Sequence, residues 1–85
     1  MWCLSSDKKT YIKAAIVFID KREHLRHGII ESVDFIIKTW DADGGIIRLG
    51  IYSTRAKADK VISELRNAVI LDRGDFTFQK DEDIG

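Results

Sequence analysis

Two hydrophobic rhythms meet in the segment IIRLGIYSTRAKADKVISELRNAVI, Ile46 to Ile70. Up to Ser53 the apolar residues alternate, the period of a strand with one buried face. After Thr54 they recur every three or four positions, the period of an amphipathic helix. Ala58, Val61, Ile62, Leu65, Ala68 and Val69 form one stripe, while Lys57, Lys60, Glu64 and Asn67 fall away from its centre. Ser53 or Thr54 supplies an N-cap hydroxyl, and Gly74 supplies a stop. Burying each larger member of the stripe is worth about 1.5–3 kcal/mol before entropy is counted.

Alternation also marks Val33 to Trp40, and the loop Asp41–Gly45 (DADGG) between the two alternating runs predicts a β-hairpin. With Trp40 opposite Ile46, Thr39 opposes Ile47, Ile37 opposes Leu49 and Phe35 opposes Ile51, which gathers the apolar side chains on one face. The helix is expected to cover that face. TYIKAAIVFI, residues 10–19, is apolar on both alternating sets; its β-branched and aromatic content predicts a central strand, with a second helix over 10–26 as the rival. DKREHLRHG reads as a polar loop, MWCL as a short first strand, DFTFQ as an edge strand at 75–79, and KDEDIG as a frayed end. The expected fold is α+β: an antiparallel sheet of three to five strands with one C-terminal helix packed on one face. It forms a single domain over 1–71, followed by an acidic tail over 72–85.

Composition sharpens this picture only locally. A hydrophobic fraction of 45% suits one globular core in 85 residues. Lys plus Arg equals Asp plus Glu at 14 each, so net charge gives no argument for nucleic acid or membrane. From Asp72 onward five acids oppose two bases, leaving a mildly basic body and an acidic end. Cys3 is the single cysteine, which excludes an internal disulfide and a cysteine metal cluster. MWCLSSDKKT lacks the basic-then-apolar layout of a signal peptide, and no apolar run approaches the roughly 20 residues that span a bilayer. A cytoplasmic protein without membrane contact is expected.

Candidate chemistry is sparse. His24 and His27 could share a metal on one turn, but zinc wants three or four protein ligands and no spacing completes the set. DADGG opens like a calcium loop and lacks the later oxygen ligands. Arg73–Asp75 spells RGD, a tripeptide that recurs by chance. No nucleophile elbow, phosphate loop or carboxylate pair is visible, and a chain this short leaves little room for a cleft, so no enzyme, cofactor or metal is expected. The hairpin register instead turns outward Asp34, Ile36, Lys38 and Trp40, opposite Tyr52, Gly50, Arg48 and Ile46. Aromatic and arginine side chains on an exposed face are the composition of interface centres, which makes Lys38, Trp40, Arg48 and Tyr52 the candidate partner-binding set. The same face would suit base stacking and phosphate contact. Lys21, Arg22 and Arg26 form a second basic cluster in the preceding segment. A free sheet edge would allow a homodimer, although the sequence does not show which strand is the edge.

Trp2, Ser6, Asp7, Lys8, Lys9 and Thr10, then Leu49, Gly50, Tyr52, Thr54, Ala58 and Val61, carry a resemblance. The pattern resembles small uncharacterised proteins of Gram-positive phages, prophages and mobile elements. Those open with a Trp and Ser-x-Asp-Lys-Lys-Thr and close with Leu-Gly-x-Tyr-x-Thr before an Ala-x-x-Val helix. The chain departs from them in having Arg55 and Lys57 where the first helical turn is usually acidic. The resemblance implies a non-enzymatic protein that binds a host protein and inhibits a host defence system, in the manner of an anti-CRISPR protein. The alternative is a nucleic-acid accessory protein using the basic aromatic face.

Overall fold

The structure, a computed structural model, describes residues 1–14 and 16–84. Along the chain run β1 (Trp2–Leu4), β2 (Tyr11–Lys13), β3 (Val17–Arg26), β4 (Ile29–Trp40), β5 (Ile46–Tyr52), α1 (Arg55–Ile70), β6 (Asp75–Thr77) and a 3₁₀ turn at Asp81–Asp83. The architecture is α+β with one helix, as the periodicity predicts. The strands exceed the expected single sheet, however, and divide into two three-stranded sheets, ordered β2-β1-β6 and β3-β4-β5. In the first, β1 pairs antiparallel with β2 and parallel with β6. The second is a meander of two antiparallel hairpins.

The segment expected as a polar loop is most of β3. His27 at φ 53° and Gly28 at φ 77° form the tight turn into β4, the backbone signature of a two-residue hairpin connection. A helix over 10–26 is excluded by the strands found there, and Ala15, inside the expected strand at 10–19, lies outside the described residues. Charged residues occupy this strand pair because they meet across it: Arg22 reaches Asp34 at 3.5 Å and Arg26 reaches Glu31 at 3.5 Å.

The second hairpin begins in the expected register, with Trp40 opposite Ile46, Thr39 opposite Ile47 and Lys38 opposite Arg48. A β-bulge then inserts Leu49, so Ile37 opposes Gly50, Ile36 opposes Ile51 and Phe35 opposes Tyr52. The predicted pairs Ile37–Leu49 and Phe35–Ile51 are therefore displaced by one residue. The consequence is a change of face for Tyr52, which moves from the expected outer surface into the core. Gly50 makes room for it: a Cβ there would stand 2.5 Å from the Tyr52 hydroxyl and 2.8 Å from two ring carbons. The ring lies back across its own strand, and its hydroxyl donates to the Gln79 carbonyl at 2.7 Å.

Helix α1 covers the inner face. Ala58, Val61, Leu65 and Ala68 are buried, and the first three join Ile37, Leu49, Tyr52, Cys3, Phe78 and Ile84 in one cluster. Phe35 packs at the cluster's margin, whereas Ile51 lies on the opposite face of the sheet. Thr54 caps the helix by accepting from the Lys57 amide at 3.2 Å. The stop comes before Gly74: Asp72 adopts φ 54°, and the Asp72 and Arg73 amides donate to the Val69 and Ala68 carbonyls.

KDEDIG, expected as a frayed end, is instead packed against the fold up to Ile84. Beyond β6, Phe78 and Ile84 are buried, and the Phe78 amide donates to the Leu4 carbonyl at 2.9 Å. Asp81 accepts from the Ser53 amide at 2.8 Å and from its hydroxyl at 3.0 Å, and Lys57 Nζ stands 3.4 Å away. Its negative charge thus sits at the N-terminus of α1, whose first turn has no acid of its own. Gly85, the last residue of the expected tail, lies outside the described residues.

Candidate partner-binding face

Alternation around the β3-β4-β5 register places Phe18, Asp20, Arg22 and His24 on the face away from the helix. Asp34, Ile36, Lys38 and Trp40 of β4 and Ile46, Arg48 and Ile51 of β5 share that face. No helix covers it, so its own side chains must. Phe18 and Trp40 stack with ring centroids 4.5 Å apart and planes at 30°. Lys38 Nζ donates to Asp20 Oδ2 at 2.7 Å. Between Asp20 and Ile51 in the register, Ile36 is only 1% exposed, so this face carries a small apolar centre of its own.

Charge on this face is largely cancelled. The Lys38 ammonium beside Asp20 holds that carboxyl below the usual carboxylate range, chiefly through the hydrogen bond. Asp34 is likewise held low, first by its 2.7 Å hydrogen bond with His24 Nε2 and further by Arg22. Lys38 opposes Arg48, an unfavourable like-charge pair that Asp20 relieves on one side only. Arg48 is exposed and makes no ion pair among the described residues. Trp40 is 41% exposed beside it, and Ile46, opposite Trp40, is exposed too.

The expected partner-binding set therefore separates. Lys38, Trp40 and Arg48 share the outer face, as the register predicts. Tyr52 does not; it is fully buried, and burial first, then the charges of Asp81 and Glu64, push its phenol well above the ordinary range. The basic cluster is also divided. Arg22 lies on the outer face, Lys21 on the opposite one within 3.6 Å of Glu23, and Arg26 near the hairpin tip. Phe18 and Asp20, which orient Trp40 and Lys38, were not among the expected site residues, because Asp20 falls in the segment read as a loop and no pairing of β3 with β4 was expected. The His27-Gly28 pair between two runs was the signal that could have revealed it.

Other recesses offer less chemistry. An open groove of about 250 Å³ between α1 and the strands is lined by apolar side chains, including Val17, Ile62, Leu65 and Val69. Cys3 on its wall is a buried thiol whose pKa burial raises, the wrong direction for a nucleophile. A second recess of about 290 Å³ brings Arg48 and Lys80 beside Asp7 and Asp81. Asp7 is tied into its own turn by the Ser5 hydroxyl at 2.5 Å and the Lys9 amide at 3.0 Å. Among the described residues no cluster of three or more His, Cys, Asp or Glu could hold a metal, and no helix is long and apolar enough to cross a membrane.

Two of the residues that carry the resemblance, Ser6 and Leu49, meet in space. The Ser6 amide donates to the Leu49 carbonyl at 2.8 Å, joining the Ser5–Thr10 turn to the bulge. The roles of the resemblance residues are turn, bulge, cap and core. No family model, no curated protein and no solved structure matches the chain.

Proposed function

We propose that the chain is a non-catalytic phage or mobile-element protein that binds a host protein through the outer face of the β3-β4-β5 sheet. Its effect on that partner would be inhibition of a host defence system, the activity implied by the resemblance. The observation that supports a binding surface is Trp40, half exposed, stacked on Phe18 and flanked by Ile46 and the unpaired Arg48. An aromatic anchor already fixed by a neighbour loses little rotamer freedom on docking, and arginine beside it adds directional hydrogen bonds.

Immobilised protein should retain one specific protein from a bacterial host lysate, in a form that inhibits that protein's activity. Trp40→Ala/Arg48→Ala should lose it while keeping the far-ultraviolet spectrum of the parent. Undiminished capture by the double variant removes this face from consideration. The nucleic-acid reading ranks lower because Lys21, Arg22, Arg26 and Lys38 each have an acidic partner within 3.6 Å. Binding through phosphates would fall steeply with added salt.

A further inference from the structure

Strand β3 is an outer strand of its sheet, and among the described residues no backbone hydrogen bond reaches its outward edge. An open edge of this length pairs readily with another strand, and charges along it normally prevent that. Here the residues of VFIDKREHLR, Val17 to Arg26, are complementary when the strand is reversed on itself about Arg22: Lys21 mirrors Glu23 and Ile19 mirrors Leu25. We infer that β3 pairs antiparallel with β3 of a second copy about a two-fold axis at Arg22, joining two three-stranded sheets into one of six strands. The inference is independent of the host-protein reading.

A two-fold that relates antiparallel neighbours in one sheet stands perpendicular to it, so opposed residues must lie on the same face. With Arg22 on the axis, Lys21 faces the second copy's Glu23, Asp20 faces its His24, Ile19 faces its Leu25, and Phe18 faces its Arg26. Each contact occurs twice. The Lys21 ammonium meets a carboxylate, the Asp20 carboxylate meets an imidazole, an apolar residue covers an apolar residue, and a guanidinium meets an aromatic ring. The one like-charge contact, Arg22 with itself, is moderated by Asp34 at 3.5 Å from each guanidinium. The neighbouring permitted registers are worse. An axis at Lys21 puts Glu23 against the partly buried Ile19, and an axis at Glu23 opposes that carboxylate to itself.

The same axis accounts for an apolar surface that charge pairing does not. Beyond Asp34 the β3–β4 hairpin is a two-stranded arm, because β5 pairs only with residues from Phe35 to Trp40. Isolated two-stranded ribbons are marginal in water. At its tip Leu25 is 62% exposed and its cross-strand neighbour Ile30 is 53% exposed, both on the helix side of the ribbon. The proposed register lays this arm beside the second copy's Phe18–Arg22 and gives it a third strand. Leu25 then stands opposite Ile19, two residues or about 7 Å along the strand from Val17. Val17 lines the open apolar groove together with Ile62 and the 55%-exposed Val69. The apolar tip of each copy thus reaches the apolar groove of the other.

Sedimentation equilibrium of the full chain between about 1 and about 100 µM, a range that brackets ordinary homodimer affinities, should show twice the mass of one chain. Glu23→Lys reverses two symmetry-related pairs and should weaken the dimer about tenfold or more. Lys21→Glu/Glu23→Lys restores complementarity and should return the affinity to within about threefold of the parent. Arg22→Cys should form an intermolecular disulfide on oxidation, since opposed residues in an antiparallel pair bring their Cα atoms to about 4.5–5.5 Å. A monomer across the whole range overturns the proposal. So does a dimer that Glu23→Lys leaves unchanged, or one that the charge swap fails to rescue.

Discussion

Replacing Gly50 with alanine tests the bulge that turns Tyr52 inward. The added methyl would lie 2.5 Å from the Tyr52 hydroxyl and 2.8 Å from two carbons of its ring, all closer than a real Cβ tolerates. The ring cannot retreat, because it is fully buried beneath α1 and its hydroxyl is fixed on the Gln79 carbonyl. Overpacking of this kind costs about 1–3 kcal/mol, and losing the hydroxyl's hydrogen bond adds about 1 kcal/mol. The expected loss is therefore about 2–4 kcal/mol. An 85-residue domain holds roughly 4–13 kcal/mol in total. Thermal unfolding should accordingly fall by roughly 10–25 °C. Urea unfolding followed by tryptophan fluorescence and calorimetry would both report it. The mechanism is separable from generic strand weakening by introducing Gly50→Ala into Tyr52→Phe. Removing the hydroxyl deletes the nearest clash, so alanine should cost at least about 1 kcal/mol less there than in the parent. Equal costs in the two backgrounds, or a Gly50→Ala variant within about 0.5 kcal/mol of the parent, would refute the packing argument.

Asp72→Gly should stabilise the protein by about 0.5–1 kcal/mol, because a non-glycine residue at φ 54° and a carboxylate at a helix C-terminus are both unfavourable; a lower midpoint in urea would contradict this. Asp81→Asn should cost about 1 kcal/mol in the same assay, since the amide replaces a carboxylate that accepts from Ser53 beside the helix N-terminus, and the partial exposure of the site limits the effect. Asp7, Asp20, Asp34 and Asp81 all have carboxyl pKa values lowered by folding, so the unfolded chain binds more protons than the folded one in acid. Their contribution is present above the unfolded value near pH 4 and is lost as pH falls through the folded values. Stability should therefore decline below about pH 4, with a shallower slope in Asp81→Asn, and a flat profile there would sink the assignment. Trp40→Ala, at an exposed stack, should change the unfolding midpoint little, by about 1 kcal/mol, while abolishing host-protein capture.

Sequence pattern was most informative where one face of an element is buried and the other wet. The stripe from Ala58 to Ala68 satisfies that condition and yielded the helix, its cap and its packing face. The β3–β4 arm does not satisfy it. Residues 20–26 carry charge on both faces because the ribbon is solvated on both, so no period of two exists to be read. The Leu49 bulge was hidden for a different reason. A bulge preserves the hydrophobic alternation on either side and shifts only the phase between strands, so Phe35 and Ile37 remained correct as inner residues while Ile51 and Tyr52 exchanged faces. Asp81 was misread because its task is completed by Ser53 and Lys57, which are distant in sequence. The acid missing from the first helical turn was the clue that another segment supplies it.

One helix can cover one face of one sheet, and this sets what the outer face can do. Its centre closes over Ile36 by means of the Lys38–Asp20 pair and the Phe18–Trp40 stack, leaving Trp40, Ile46 and Arg48 at the end of the sheet nearest the Asp41–Gly45 loop. A two-fold perpendicular to the sheet at Arg22 keeps both copies of that patch on the same side. Thr39 is level with Val17, so Trp40 lies six residues from the axis in the β3 register. At about 3.3 Å per residue the two patches are about 40 Å apart. That separation exceeds the reach of one small globular domain docking on a single patch, and a dimer should therefore take up two partner molecules. Light scattering of the captured complex should give two copies of each chain. A single partner held by two copies would place the contact on the axis, where Arg22 lies flanked by Asp20 and His24, and would remove Trp40 from the interface.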